Sequence, residues 1–329
     1  MTLEVVDGGL TATIQDHGRP DWAHLGVPAS GACDAWSLAV ANLLAGSASG
    51  AAAIEMTIVG PTLVARRATV IGLAGADLGG RVVGGRRLPP GRSHRIDAGE
   101  TIAFPGDEAE RGARLYLGLC GGIAVPEVLG SRSTCLAAGF GGLDGRPLRA
   151  GDVIAGSIGE GRSAGDQAAG ERAWPLDPLG VTSGPAVLRV LPGPAPGFEP
   201  LVGQAWRVSR EADRVGLRLD GAPLPEGIGG EAVSHGVVWG AIQVPPDGRP
   251  IVLGPDHQTT GGYPVAAVVI AADRPVVGQL RPGAEVSLQP VGRAEAIEAL
   301  RAQEAALAAG TRALREAAGW DELVRSAGG

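Results

Sequence analysis

Gly-Pro-Asp-His-Gln-Thr-Thr-Gly-Gly-Tyr-Pro, residues 254–264, sets five adjacent polar side chains between two strongly apolar runs. Upstream, residues 237–244 and 250–253 read as β-strands joined at Pro246-Asp247-Gly248, a turn in which proline presets φ and glycine supplies freedom. Downstream, residues 264–271 have the Ala/Val/Ile composition of a buried strand. Gly261 and Gly262 permit a positive φ or close approach of another backbone, and Pro264 biases Tyr263 towards extended geometry. Asp256, His257, Gln258, Thr259 and Thr260 therefore stand at a mouth between buried strands, where binding residues belong. An ordinary polar loop, held by side chain to backbone bonds with His257 in water, accounts for the same residues.

Working outward, 329 residues suffice for two modest domains or one large one. Glycine and proline are abundant at 55 and 25, but a hydrophobic fraction of 44% is that of a folded chain, so many short strands and turns are expected rather than disorder. All 28 basic residues are arginine. Without lysine there is no P-loop and no pyridoxal Schiff base on this chain. A net charge of −7 argues against nucleic acid as a partner. Cys33, Cys120 and Cys135 have neither a disulfide count nor zinc spacing, so buried thiols and no metal are expected. No signal peptide and no membrane span is visible, and the reading is of a soluble cytoplasmic protein.

Residues 3–6 and 10–14 read as a hairpin about Gly8-Gly9, delivering Gln15, Asp16 and Arg19 at its end. Asp34 sits where an N-cap belongs before a short helix over 35–44, with Gly46 as its stop. Short strands follow from 53 to 156, with a tight hairpin at Gly84-Gly85. Gly99-Glu100, Gly151-Asp152 and Gly283-Ala284-Glu285 each precede a strand and read as equivalent barrel corners. The strand pattern lapses over 160–178, marking a domain boundary. It resumes at 187–191, 204–209 and 215–219, and again at 276–280 and 285–291. Residues 293–309 read as an exposed helix and a shorter one follows Gly310.

Three further clusters could carry chemistry. Gln15, Asp16 and Arg19 offer an acid and a guanidinium, or a solvated turn. Ser131-Arg132-Ser133-Thr134, on a loop with Gly121-Gly122 and Gly130 before it, suits a carboxylate or phosphate and equally suits an ordinary turn. Asp213-Arg214 opens a strand and reads first as an ion pair. His235 reads as a core or turn histidine.

Taken in order, these motifs resemble a known pattern. Gln15-Asp16-His17-Gly18-Arg19 is followed by Gly-Val-Pro-Ala-Ser-Gly-Ala-Cys-Asp at 26–34, Ala-Asn-Leu-Leu at 41–44 and Glu-Met-Thr-Ile-Val-Gly-Pro at 55–61. Then come Gly-Gly-Ile at 121–123, Leu-Gly-Ser-Arg-Ser-Thr at 129–134, Ser209 with Asp213-Arg214, Gly-Ala-Ile-Gln-Val-Pro-Pro-Asp-Gly at 240–248, and the opening stretch. The set, spanning 15–291, is similar to that of the biotin-dependent carboxyltransferase-like family, also labelled allophanate hydrolase subunit 2. Its members include the C subunit of 5-oxoprolinase and the carboxyltransferase part of urea carboxylase. Two departures stand out: His257 where many members carry arginine, and Val215 where methionine is common.

The resemblance implies a mainly β chain of two tandem cyclophilin-like β-barrel domains, with a few short helices and a C-terminal helix. The expected boundaries are a first barrel over 1–160, a linker over 161–183, a second barrel over 184–292 and a helical extension over 293–329. It implies a hydrolase subunit that acts with B-like and A-like partner subunits to open 5-oxoproline to glutamate, inactive alone. ATP would be used by that complex at a site not readable here, and biotin would come only on another protein. Asp256 and His257 are expected to handle protons. Arg132 and Arg214 would contact an anion, with Gln15, Asp16, Arg19, Ser131, Ser133, Gln243, Gln258, Thr259, Thr260 and Tyr263 binding or orienting a small substrate. A carboxyltransferase taking carboxybiotin from a carrier to a urea-like acceptor is the alternative, followed by a regulatory protein acting on a kinase-inhibitor partner.

Overall fold

The computed structural model describes residues 2–107, 112–156, 172–176 and 184–327, with side chains to residue 317. The chain divides into two compact units: Met1–His17, Ala35–Leu179 and Glu304–Gly329 form unit 1, and Gly18–Asp34 with Gly180–Gln303 form unit 2. The units thus interleave in sequence, whereas the boundaries expected from composition are contiguous. Of the expected linker, residues 172–176 are described and the rest lies outside the described residues.

Unit 1 contains β1 (Leu3–Asp7), β2 (Thr11–Gln15), β3 (Ala53–Thr57), β4 (Thr62–Ala65), β5 (Thr69–Gly75), β6 (Arg81–Val82), β7 (Arg92–Ile96), β8 (Thr101–Ala103), β9 (Arg114–Leu119) and β10 (Val153–Ile154). They form two five-stranded sheets, β10-β1-β4-β8-β6 and β2-β3-β9-β5-β7. Leu3, Leu63 and Ile102 of the first share one core with Ile14, Ile54, Leu73 and Leu117 of the second. All six residues of β9 are buried, because its other face lies under α1 (Ala35–Ala45). Glycine sets that approach. A Cβ on Gly72 of β5 would stand 2.0 Å from the Ala41 carbonyl oxygen, and one on its cross-strand partner Gly118 would stand 2.5 Å from the same atom. Asn42 is a polar anchor within the helix, its Nδ2 donating to Ser49 O at 3.2 Å and Ala51 O at 2.6 Å.

β1 and β2 do not form the expected hairpin; they belong to different sheets. Gly8-Gly9 carries the chain between them under close neighbours. A Cβ on Gly8 would meet Leu148 O at 2.2 Å, and Gly9 has φ 68°. The glycine pair serves close approach rather than a tight reversal. By contrast Gly84-Gly85 is a hairpin turn, with Val82 N–H on Arg86 O and Gly84 at φ 72°.

The three Gly-acid corners are alike in detail. Gly99, Gly151 and Gly283 have φ 87°, 88° and 87°. In each, the following N–H closes a turn onto the carbonyl three residues back (Asp97, Arg149, Arg281), while the glycine N–H bonds a neighbouring strand at Ala65, Val5 or Val208. This is the geometry of a type II turn, which needs glycine at its third position.

Unit 2 contains β11 (Ala186–Pro192), α2 (Phe198–Val202), β12 (Trp206–Val208), β13 (Gly216–Asp220), β14 (His235–Gly236), β15 (Ala241–Gln243), β16 (Ile251–Leu253), β17 (Thr260–Gly261), β18 (Val265–Val269), α3 (Arg274–Gln279) and β19 (Glu285–Pro290). Seven strands close a barrel in the order β11-β18-β15-β16-β13-β12-β19, leaving no unpaired edge. Every pairing is antiparallel except β11 with β19. Leu188, Trp206, Leu219, Ile242, Val252, Ala267 and Leu288 fill it. β14 and β17 pair separately as a short ribbon.

Two expectations fail here for physical reasons. Residues 276–279 are helical, not a strand, with Leu280 as the extended cap: Pro275 opens α3, where its missing N–H costs nothing. Gly278 then lets the helix lie against Cys33, whose carbonyl oxygen is 2.3 Å from the position of an added Cβ. The C-terminal segment is one helix, α4 (Arg293–Ala327), uninterrupted at Gly310. There the glycine admits Trp174, whose ring atoms would lie 2.4 Å from a Cβ. Among the described residues no helix is long and apolar enough to cross a membrane.

Candidate functional site

The polar loop between β16 and β18 is strapped along its first half. Gly254 N–H donates to Val215 O at 2.8 Å, Asp256 N–H to Arg214 O at 3.1 Å, and Pro255 O accepts from Ser30 N–H at 3.0 Å. A Cβ at position 254 would meet Arg214 O at 2.3 Å, so only glycine lets the strands run this close. The second half is held by the ribbon and by Val237 N–H on Thr259 O at 3.1 Å. Asp256 and His257 consequently turn inward, Thr259 is half-buried, and Gln258, Thr260 and Tyr263 are exposed.

Asp256 is committed to Arg214. The carboxylate is 3% exposed as a residue and accepts two bonds from the guanidinium, Nε at 2.8 Å and Nη2 at 3.1 Å. The same guanidinium reaches Gly31 O at 2.7 Å and Cys33 Sγ at 3.3 Å. This paired fork ties the loop to the 26–34 segment of unit 2. Arg19, also buried in unit 2, fixes the start of that segment through its N–H on Ala29 O at 2.7 Å. At the segment's end Asp34 Oδ2 accepts from Gln279 Nε2 at 2.7 Å.

His257 is the other buried titratable side chain of the loop. Its Nδ1 lies 2.5 Å from the Gln258 carbonyl oxygen, which can only accept, so Nδ1 carries the proton and Nε2 the lone pair in the neutral ring. Burial, first, and then the positive charge of Arg274 hold its pKa below the ordinary histidine value; the bond to Gln258 and the charge of Asp256 act the other way. The imidazole is thus a neutral base near pH 7. Gln243, on β15, lies beneath the loop, with Nε2 on Tyr263 O and Oε1 accepting from Gln258 Nε2, both at 3.4 Å. Gly261 leaves room for it, since a Cβ there would stand 2.4 Å from Gln243 Nε2.

Sequence reasoning missed Arg274 and Trp239. Trp239 lies in the turn before β15, and its carbonyl accepts from Arg274 Nη2 at 3.0 Å. The guanidinium carbon is 5.0 Å from the Trp239 ring centroid, a cation–π contact. Burial lowers the Arg274 pKa, yet an arginine stays charged.

The unit 1 cluster has a different character. Asp16 Oδ1 accepts from Ser131 Oγ at 2.6 Å and Ser133 Oγ at 2.5 Å, and Oδ2 from Arg132 N–H at 2.6 Å. Arg132 Nε donates to Val125 O at 3.0 Å and its Nη1 pairs Glu127 at 2.7 Å. Gln15 Nε2 donates to Thr13 Oγ1 and Thr134 O. The hydroxyls and the guanidinium that could cradle a phosphate are thus spent on carboxylates, so this loop does not fit the phosphates of a nucleotide. Among the described residues no group of three or more His, Cys, Asp or Glu could hold a metal.

A barrel carrying these ordered motifs defines a class. The family described as "Carboxyltransferase domain, subdomain A and B" matches residues 25–290, and the chain belongs to it. It is 34% identical to the 5-oxoprolinase C subunit of Escherichia coli (strain K12) over 315 residues, covering 92% of this chain and 95% of that protein. Urea amidolyase of Lachancea kluyveri is 31% identical over 336 residues, covering 93% of this chain but 18% of the relative. The solved structure of the K. lactis urea amidolyase matches with a TM-score of 0.81 at 27% identity, over 94% of this chain and 20% of that one.

Proposed function

We propose that this chain is the C subunit of a bacterial ATP-dependent 5-oxoprolinase, acting in the cytoplasm with B-like and A-like partner subunits. The observation that carries the reading is the extent of the likeness to the E. coli protein, 95% of its length at 34% identity. The reaction opens a lactam, and an amide is a poor electrophile. ATP, bound by the assembled complex, supplies phosphoryl activation of the lactam oxygen. His257 Nε2 takes a proton from the attacking water, a role its neutral state at pH 7 supports. Asp256 and Arg214 act as a brace that holds the loop rather than as a proton carrier, because the carboxylate is held in two bonds by the guanidinium. Gln243 and Thr259 orient the substrate.

The second reading, transfer of a carboxyl group from carboxybiotin to a urea-like acceptor, is favoured by the likeness to the urea amidolyases. Biotin would then arrive on a carrier, since this chain has no lysine. One experiment separates them: the chain co-purified with its partner subunits is given 5-oxoproline and ATP, and glutamate is measured. Glutamate release that needs this chain supports the lactamase. A correctly assembled complex that releases none, but consumes carboxybiotin from a biotinylated carrier, overturns it.

A further inference from the structure

Two buried N–H groups in unit 2 lack acceptors within one small region: Arg274 Nε and Trp239 Nε1. Native interiors leave few such donors, and each calls for a cause. Arg274 also pairs with no carboxylate among the described residues. Its chain neighbour Asp273 is taken by Arg189, through the backbone N–H at 2.7 Å and the guanidinium at 2.5 Å. A half-buried cation without a counter-ion is costly unless a ligand supplies the charge. Trp239 holds the guanidinium by its carbonyl and its ring face, while Arg274 Nε is left without an acceptor. The pair also borders the polar loop. Gly240 N–H bonds Leu253 O, Val237 N–H bonds Thr259 O, and the Arg274 charge is felt at His257.

We propose that Arg274 and Trp239 form a carboxylate-binding subsite beside His257, which selects a lactam bearing an acid group over a neutral urea-like acceptor. The planar guanidinium edge matches the two oxygens of a carboxylate, and the indole N–H adds a third donor. The inference rests on the lactam-hydrolase reading for the identity of the substrate, but not for the existence of the subsite. Arg274 escapes notice in the sequence because it stands alone, outside every motif of the chain.

The test uses the full-length chain, with the Arg274 Nε–H resonance followed in ¹⁵N-correlated NMR spectra and assigned by its loss in Arg274→Lys. The probes are acetate, L-5-oxoproline and the neutral lactam 2-pyrrolidinone. Acetate and 5-oxoproline are expected to move the Nε–H signal and 2-pyrrolidinone to leave it in place. Arg274→Gln should weaken 5-oxoproline binding about 10- to 100-fold, the worth of a charged hydrogen-bonded contact, with Arg274→Lys between. If acetate moves the signal and 5-oxoproline does not, the subsite stands and the lactam reading falls. If neither carboxylate moves it, or if Arg274→Gln binds 5-oxoproline as the wild type does, the subsite is overturned while the lactam reading is untouched. Arg274→Gln supplies the same assignment where Arg274→Lys fails to fold, so one folded variant is enough to read the wild-type spectrum.

Discussion

Removing the Asp256 side chain should unfold unit 2 more readily, by an amount the geometry sets. In Asp256→Ala the Arg214 guanidinium loses both carboxylate bonds, at 2.8 and 3.1 Å, but stays tethered to Gly31 O and Cys33 Sγ. At 7% exposure it has no easy route to water. Stranding a buried charge in this way costs about 3–5 kcal/mol. Arg214→Met strands the carboxylate instead and should cost a similar amount. The double variant removes both charges, so its loss should fall short of the summed single losses by roughly 2 kcal/mol or more. Urea unfolding followed by tryptophan fluorescence, with Trp206 in the barrel core as a reporter, measures all three. An Asp256→Ala protein within about 1 kcal/mol of wild type, or strictly additive losses, would refute the brace.

Other outcomes follow from the same contacts. His257 has a folded-state pKa below its unfolded value of about 6.5, so the unfolded chain binds the extra proton first and stability falls with acidification. The His257 contribution is full above pH of about 6.5 and is lost as pH drops to the depressed folded value; the stability gap between wild type and His257→Gln, measured from pH 8 to 5, should narrow or reverse in that window. Gly72→Ala should cost roughly 3 kcal/mol or more in thermal unfolding, because the new methyl meets helix backbone at Ala41 that no rotamer change can move. Gly310→Ala, which in an open helix gains about 1 kcal/mol, should instead destabilise, since the methyl meets the Trp174 ring.

Much of the barrel is legible from residues because its strands alternate or run apolar between glycine and proline turns. The loop at 254–264 stands out for the same reason, five polar residues between two such strands. What the residues hide is pairing. Leu3–Asp7 and Thr11–Gln15 read as a hairpin from their spacing, yet the partner of each is set by distant strands, and Gly8-Gly9 serves crossing rather than turning. The run Val-Val-Gly-Gln-Leu at 276–280 has a periodicity that suits a buried strand or a turn of helix equally. Pro275 is the signal that decides for a helix. Side-chain commitments are hidden too: Ser131, Ser133 and Arg132 have the composition of an anion site, and only the fold shows that Asp16 and Glu127 claim them.

On the proposed mechanism a neutral His257, held by a braced loop, handles the proton in a lactam hydrolysis. Glutamate formation from 5-oxoproline and ATP, comparing wild type with His257→Gln in the assembled complex, tests this most directly. A fall in turnover of about 10²- to 10⁴-fold is expected, with the complex still folded and assembled. Turnover by His257→Gln at the wild-type rate would contradict it.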